Sequence, residues 1–110
     1  MAKASKLDAL KLEDEISFPL YAASKEIIRR YKPFLEELDL TYTQYLAMLA
    51  LWEHSELAVN EMGELLYLDS GTLTPLLKKL EAKGYIVRTR SVVDERRVVV
   101  TLTEAGKRLR

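Results

Sequence analysis

The sequence contains no cysteine among its 110 residues. Disulfide bonds, thiolate metal ligands and thiol redox chemistry are therefore excluded for this chain. Long apolar runs are also lacking, because none approaches the roughly 18 residues that a membrane-spanning helix requires. The charged N-terminal stretch has no apolar signal core. We therefore expect a cytoplasmic protein that has no membrane partner.

The polar residues form no recognisable catalytic, metal or cofactor site. His54 is the only histidine, and the acids near it do not have a recognised ligand spacing. Gly71 stands alone in a turn and does not belong to a phosphate-binding loop. No serine, histidine and aspartate form a credible set. The sequence predicts no catalytic residue, no metal ligand and no cofactor, which argues against an enzyme.

Positive and negative charges are concentrated in different parts of the chain, although the net charge is zero. Residues 71–110 contain ten Lys/Arg and four Asp/Glu, a net charge of +6, and residues 1–70 carry −6. Such an asymmetry is typical of a protein with a polyanionic partner. Two solvated faces of opposite sign would give the same counts.

The first half of the chain has the apolar spacing of two helices. Residues 12–37 predict a long first helix. Pro19 fits its first turn or a bend, and Pro33 should kink its last turn or end it near Lys32. Thr41 begins a capping box for a second helix that ends near His54.

Two short helices joined by a tight turn follow. Residues 57–59 form one strand or an entry turn, and Asn60 is the expected N-cap of a third helix over residues 61–67. The fourth helix begins at the turn 69–71 and has four leucines at positions i, i+3, i+4 and i+7. Gly84 should end it in the left-handed conformation.

A β-hairpin comes directly after these helices. The runs 85–90 and 97–102 are rich in β-branched residues and flank a polar turn. Thr103 should cap a last helix over residues 104–110. Two short helices followed by a hairpin describe a winged helix-turn-helix, in a chain that is otherwise mainly α.

We therefore expect one domain over residues 1–110 with three parts. Residues 12–56 are the N-terminal helices, a dimerisation and sensor part. Residues 57–102 are the helix-turn-helix and wing, and residues 103–110 begin a C-terminal helix.

The outward face of the fourth helix is suited to a DNA duplex. Because its leucines face the core, the helix presents short hydroxyl side chains and lysines outward: Ser70, Thr72, Thr74, Lys78 and Lys79. Hydroxyl groups at a helix N-terminus approach base edges or phosphates closely, and the helix dipole favours phosphate there. The sequence predicts that this helix enters the major groove.

The hairpin tip is basic. It contains Arg90, Asp94, Arg96 and Arg97, and arginine is well suited to the narrow, negative minor groove. Asp94, paired with Arg96, would shape the loop and aim another arginine. Ordinary solvated turn charges are the alternative interpretation, and the attached helix pair favours contact with the groove.

Several separate motifs resemble known regulators. Three motifs of this chain resemble the recognition helix and wing of the MarR family. They are LDSGTLTPLLKKLE at 68–81, DER at 94–96 and LTEAG at 102–106. Three further motifs resemble the OhrR/SarZ branch of that family. They are FPLYAASKE at 18–26, YKP at 31–33 and LTYTQYL at 40–46.

The resemblance implies a homodimer that binds a pseudo-palindromic operator and usually represses transcription. Within the branch it implies a response to organic hydroperoxides, sensed by a cysteine near the start of the first helix. Ser17 lies at that sensor position, and Tyr21, Tyr31 and Tyr42 lie where the branch has tyrosines that bind the thiolate. A serine hydroxyl does not form a sulfenic acid, so the redox switch is lost or mutated in this chain.

Some alternatives stay open at this point. Ser17 is either an engineered replacement that fixes the DNA-binding form or the natural residue of a divergent regulator that responds to a different signal or to none. The tyrosines would also suit simple packing at helix interfaces. A winged helix that binds a protein partner is the rival function. The resemblance implies further C-terminal helices after Arg110 that form most of the dimer interface, so dimerisation of this chain would depend on its first helix.

Overall fold

A computed structural model describes residues 11–12 and 15–110. The chain folds in the order α1 (Ser17–Leu38), α2 (Tyr42–His54), β1 (Glu56–Ala58), α3 (Val59–Leu66), α4 (Ser70–Ala82), β2 (Ile86–Arg90), β3 (Val98–Leu102) and α5 (Glu104–Arg108). It divides into two units, Met1–Phe34 and Leu35–Arg110. The predicted fold class, mainly α with a small β-wing, is confirmed. No described helix is both long enough and apolar enough to cross a membrane.

In the first unit, α1 begins at Ser17 rather than near residue 12 as predicted. Residues 13 and 14, which the predicted helix included, lie outside the described residues. Pro19 occupies the first turn, where a helix tolerates a missing N–H donor. Glu26 pairs with Arg29 at 2.8 Å and with Arg30 at 3.5 Å along the exposed helix surface.

The alternative in which Pro33 ends α1 near Lys32 was wrong, because the helix continues through Pro33 to Leu38. The other alternative, a kink in the last turn, stays a prediction. A proline removes one N–H donor, and the rest of the helix can still form its hydrogen bonds. In the second unit the Leu35 side chain is buried. Asp39 adopts a left-handed conformation with φ 55°, and the Leu40 N–H donates to the Leu35 carbonyl at 3.0 Å. Burial and this C-terminal cap define the end of α1.

A single core joins the helices and the sheet of the second unit. The three strands are antiparallel in the order β1-β3-β2, with Ile86 opposite Leu102 and Ala58 opposite Val99. The predicted hairpin is thus the larger part of a three-stranded sheet. Its centre packs on the helices through a cluster of buried side chains: Leu40, Ala47, Met48, Leu51, Met62, Leu73, Leu76, Leu77, Leu80, Ile86 and Val100.

The start of α3 differs from the prediction. Ala58 is the N-cap and α3 begins at Val59, so Asn60 lies inside the first turn and does not cap the helix. The Ala58 N–H donates to Glu61 Oε1 at 3.0 Å, which is the carboxylate half of a capping box and requires no side-chain oxygen at the N-cap. The helix ends at Leu66, one residue earlier than predicted, and Tyr67 is its left-handed cap with φ 58°.

Helix α5 is held against α2 by a hydrogen bond and lies close to Tyr85, the residue before β2. It ends at Arg108, two residues short of the prediction, and its predicted N-cap Thr103 accepts from the Gly106 N–H at 3.0 Å. Trp52 Nε1 donates to the Gly106 carbonyl at 2.9 Å. A Cβ on Gly106 would lie 2.1 Å from the Tyr85 carbonyl oxygen, so this close approach requires glycine.

We expect Gly106→Ala to lower the free energy of unfolding by about 1–3 kcal/mol, since the methyl group must displace backbone. Urea unfolding followed by far-ultraviolet circular dichroism measures this. Gly71→Ala is the matched control, because its Cβ would meet only Asp69 Oδ1 at 3.7 Å and alanine favours the helix. A Gly106→Ala variant as stable as the wild type would contradict the tight packing of α5.

Candidate nucleic-acid interface

Helix α4 has a buried leucine face and an exposed polar face. Leu73, Leu76, Leu77 and Leu80 are buried. The predicted contact residues lie on the other side: Ser70, Thr72, Lys78 and Lys79 are exposed and Thr74 is half-buried. The predicted outward orientation of this set is therefore present in the fold. Its contact with DNA stays a prediction.

The first turn of α4 already contains a carboxylate. Asp69 is the N-cap, and its Oδ1 accepts from the Thr72 N–H at 2.8 Å. Hydrogen bonds from the Thr72 side chain and from its N–H lower the pKa of Asp69 below its usual value. Within residues 15–110 the side chains of Ser70 and Thr74 form no hydrogen bond, so their hydroxyl groups are available to a ligand in this turn.

The wing turn between β2 and β3 is cross-linked by its own hydrogen bonds. The Ser91 N–H donates to the Arg97 carbonyl at 2.7 Å, and the Arg97 N–H donates to the Asp94 carbonyl at 2.9 Å. Ser91 Oγ accepts from the N–H groups of Val93 and Asp94 at 3.2 and 3.3 Å. The predicted pairing of Asp94 with Arg96 occurs through the main chain, since Asp94 Oδ1 accepts from the Arg96 N–H at 3.0 Å. Asp94 thus shapes the loop and leaves the Arg96 guanidinium unengaged.

The three wing arginines have different surroundings. Arg90 donates to the Glu95 carbonyl within the loop. Arg97 Nη2 lies 2.7 Å from Glu61 Oε1 on α3. Within residues 15–110, the Arg96 side chain forms neither a hydrogen bond nor an ion pair, and it is exposed. Arg96 is therefore the wing cation most available to an anionic partner.

An open groove of about 770 Å³ lies between α3, α4 and the wing. It brings together five of the predicted contact residues: Ser70, Thr74, Asp94, Arg96 and Arg97. The other four do not line it: Thr72, Lys78, Lys79 and Arg90. Sequence reasoning missed Arg88 and Glu64 in the groove wall, and it assigned Asn60, a third wall residue, to a helix cap.

Arg88 anchors the base of the wing to α4. Its Nη2 donates to Glu81 Oε1 at 3.0 Å, and its N–H donates to Glu81 Oε2 at 3.2 Å. Hydrogen bonds from the Arg88 side chain and main chain lower the pKa of Glu81 below its usual value. The available signal in the sequence was the alternation of β2, which places Arg88 on the same face as the buried Ile86.

The predicted sensor residues fall in both units. Ser17 is the first residue of α1, Tyr21 lies one turn later, and Tyr31 lies further along the same helix. Tyr31 packs edge-to-face on Phe34 with 6.4 Å between ring centroids. Tyr42 begins α2 and is half-buried. A sensor pocket formed by these four residues stays a prediction.

Titration of Asp69 should be visible in thermal stability. Its lowered pKa means that the folded state favours the carboxylate, so this contribution is complete above the unfolded pKa of about 3.9 and is lost as the pH falls through the folded pKa. We expect the wild-type Tm to fall more between about pH 5 and pH 3 than the Tm of Asp69→Ser, which keeps a cap that does not titrate. Circular dichroism melts measure both, and equal losses would contradict this account of the cap.

Comparison with known proteins identifies the family. Residues 29–110 match the family of the transcriptional regulator SarA/Rot. The chain is 56% identical over 106 residues to the organic hydroperoxide resistance transcriptional regulator of Bacillus subtilis, covering 96% of this chain and 72% of that protein. It is 50% identical over 99 residues to the regulator SarZ of Staphylococcus aureus, covering 90% of this chain and 67% of that protein.

Solved structures agree with these relatives. The structure of reduced AbfR bound to DNA superimposes with a TM-score of 0.82 at 38% identity, covering 88% of this chain and 71% of that one. The crystal structure of AbfR of Staphylococcus epidermidis superimposes with a TM-score of 0.78 at 36% identity, covering 98% of this chain and 71% of that one. The resemblance to the OhrR/SarZ branch is confirmed. The chain belongs to the SarA/Rot family of transcriptional regulators, whose members are not enzymes.

Proposed function

We propose that this chain binds double-stranded DNA in a sequence-specific manner through α4 and the wing, and that it represses genes of an organic hydroperoxide response. The groove that joins Ser70 and Thr74 of α4 to Arg96 of the wing carries this proposal. A recognition helix in the major groove and an arginine in the adjacent minor groove together form a coherent docking surface.

The charge distribution supports a nucleic-acid partner. The part of the chain that contains α4, the wing and α5 carries a net charge of +6 over residues 71–110. Lys78 and Lys79 lie outside the groove and would meet the phosphate backbone, which orients a protein without reading its sequence. Phosphate contacts release counterions, so this mode of binding weakens steeply with salt.

The relatives suggest the biological setting. AbfR is described as bound to DNA, and the Bacillus subtilis relative is named for organic hydroperoxide resistance. We extend both properties to this chain, together with a cytoplasmic location. We further propose that it acts as a homodimer on a pseudo-palindromic operator, whose half-sites lie about 34–36 Å apart.

One observation favours a second candidate function, a winged helix that binds a protein. Val92 and Val93 at the wing tip are 99% and 97% exposed, and exposed apolar residues next to each other are common at protein interfaces. The two functions differ in their salt dependence. Titration of a random-sequence duplex by fluorescence polarisation at about 50 and 200 mM salt separates them. An absence of duplex binding at the lower salt concentration would favour the protein-binding candidate.

Arg96→Ala should weaken binding to a duplex that the protein itself selects from a randomised pool. If Arg96 meets the backbone or minor groove, we expect a loss of about 1–3 kcal/mol and a salt slope that is shallower by about one. Polarisation titrations at several salt concentrations measure both quantities. Arg108→Ala on α5, outside the groove, is the matched loss of one charge. Equal affinities of the Arg96 and Arg108 variants would remove the wing from the mechanism.

Ser17→Cys tests the proposed switch. The introduced thiol is oxidisable where the serine is not, so we expect the cysteine variant to release its selected duplex after treatment with an organic hydroperoxide. The wild type should bind equally before and after treatment. Ser24→Cys, elsewhere on α1, controls for a nonspecific effect of an added thiol. A Ser17→Cys variant that is insensitive to hydroperoxide would contradict the sensor role of this position.

A further inference from the structure

Glu61 joins the start of α3 to the wing. Its Oε1 accepts from the Ala58 N–H at 3.0 Å, which caps α3, and the same oxygen lies 2.7 Å from Arg97 Nη2. Both side chains are about half exposed. Within residues 15–110, this is the only ion pair that connects the wing turn at residues 91–97 to a helix. One carboxylate thus couples the helix-turn-helix to the tip of the wing.

The hydrogen bonds of the turn extend this connection to the groove. The Arg97 N–H donates to the Asp94 carbonyl, and Asp94 Oδ1 accepts from the Arg96 N–H. Arg97 is therefore fixed at its guanidinium by α3 and at its main chain by Asp94. The backbone that carries the unengaged Arg96 is positioned by this series of contacts.

A carboxylate at position 61 is unfavourable for DNA binding unless it positions the wing turn. Glu61 stands beside a groove that we propose receives a polyanion, and a carboxylate near phosphates repels them. It also neutralises one of the three wing arginines. Electrostatics alone therefore predicts that loss of the Glu61 charge tightens DNA binding.

We propose that Glu61 and Arg97 are positioning residues for DNA recognition, and that their ion pair holds the wing so that Arg96 meets the duplex. The inference rests on the proposed DNA binding. Arg97, which the sequence suggested as a DNA contact, acts through Glu61 and the Asp94 turn. The pair reduces the conformational freedom that the wing would otherwise lose on binding.

The direction in which one substitution changes the affinity for DNA tests this proposal. Glu61→Gln removes the charge and keeps an amide oxygen that can accept from the Ala58 N–H. The selected duplex is about 30 base pairs long, so that it includes two half-sites. We expect Glu61→Gln to bind it about three- to fivefold more weakly than the wild type, which is the upper part of the range for an exposed ion pair. Polarisation titrations measure the Kd, and thermal melts verify that the fold is kept.

Glu64→Gln is the matched control. Glu64 lies one turn further along α3 and lines the same groove, and it has no hydrogen bond or ion pair in the described part of the chain. Glu64→Gln removes the same charge from the same surface and breaks no ion pair. We expect unchanged or tighter DNA binding, opposite in direction to Glu61→Gln.

A double-mutant cycle separates positioning from direct contact. If the residues act as a pair, Glu61→Gln combined with Arg97→Gln should bind within about twofold of Arg97→Gln alone, because the second change removes an interaction already lost. The salt slope of Arg97→Gln should stay close to that of the wild type. A slope shallower by about 0.9 would indicate instead that Arg97 contacts a phosphate.

The outcomes distinguish the proposals. Tighter binding by Glu61→Gln, additive effects in the cycle, or the shallower slope would each overturn the positioning role and leave DNA binding intact. If the wild type binds no duplex at low salt, the proposed function fails and this inference fails with it. If Glu61→Gln lowers the Tm, the affinity and salt slope of Arg97→Gln decide whether the pair positions the wing. Arg97→Gln keeps the Glu61 carboxylate and therefore leaves the cap of α3 unchanged.

Discussion

The burial of one face of α4 is the constraint on which the interface depends. Leu73, Leu77 and Leu80 are fully buried beneath α2, α3 and the sheet. Full burial of a leucine side chain contributes about 1.5–3 kcal/mol, so this helix cannot rotate without a large loss of stability. Its polar residues are thereby fixed on the opposite side, and the direction in which Ser70 points follows from the core.

The strands of the wing pack in the same apolar core as α4 through Ile86 and Val100, whereas the wing turn is held by ionic and main-chain contacts. Arg88 and Glu81 join the base of β2 to α4, and Arg97 and Glu61 join the tip to α3. Exposed or half-exposed ion pairs are each worth little and weaken with salt. The recognition helix and the wing turn are therefore held by different kinds of interaction, and only the contacts of the wing turn are sensitive to salt.

Periodicity and turn residues were enough to predict the fold class, four of the five helices to within two residues of both ends, the αL conformation of Gly84 and the outward face of α4. The errors arose where burial or a helix cap outweighs the preference of a single residue. Pro33 does not end α1, because buried Leu35 and left-handed Asp39 define that end. Asn60 is not the N-cap, because the carboxylate of a residue further along satisfies the Ala58 N–H. Burial of one side chain, a left-handed residue and a carboxylate cap leave no periodic signal in a sequence.

The hydrogen bond between the Trp52 indole and the Gly106 carbonyl has a practical consequence. Trp52 is the only tryptophan in the chain, so its emission spectrum reports a single environment, the junction between α2 and α5. Detachment of α5 would expose the indole to water and shift its emission to longer wavelength while the leucine core stayed closed. The chain thus contains an intrinsic fluorophore that distinguishes local fraying of its last helix from global unfolding.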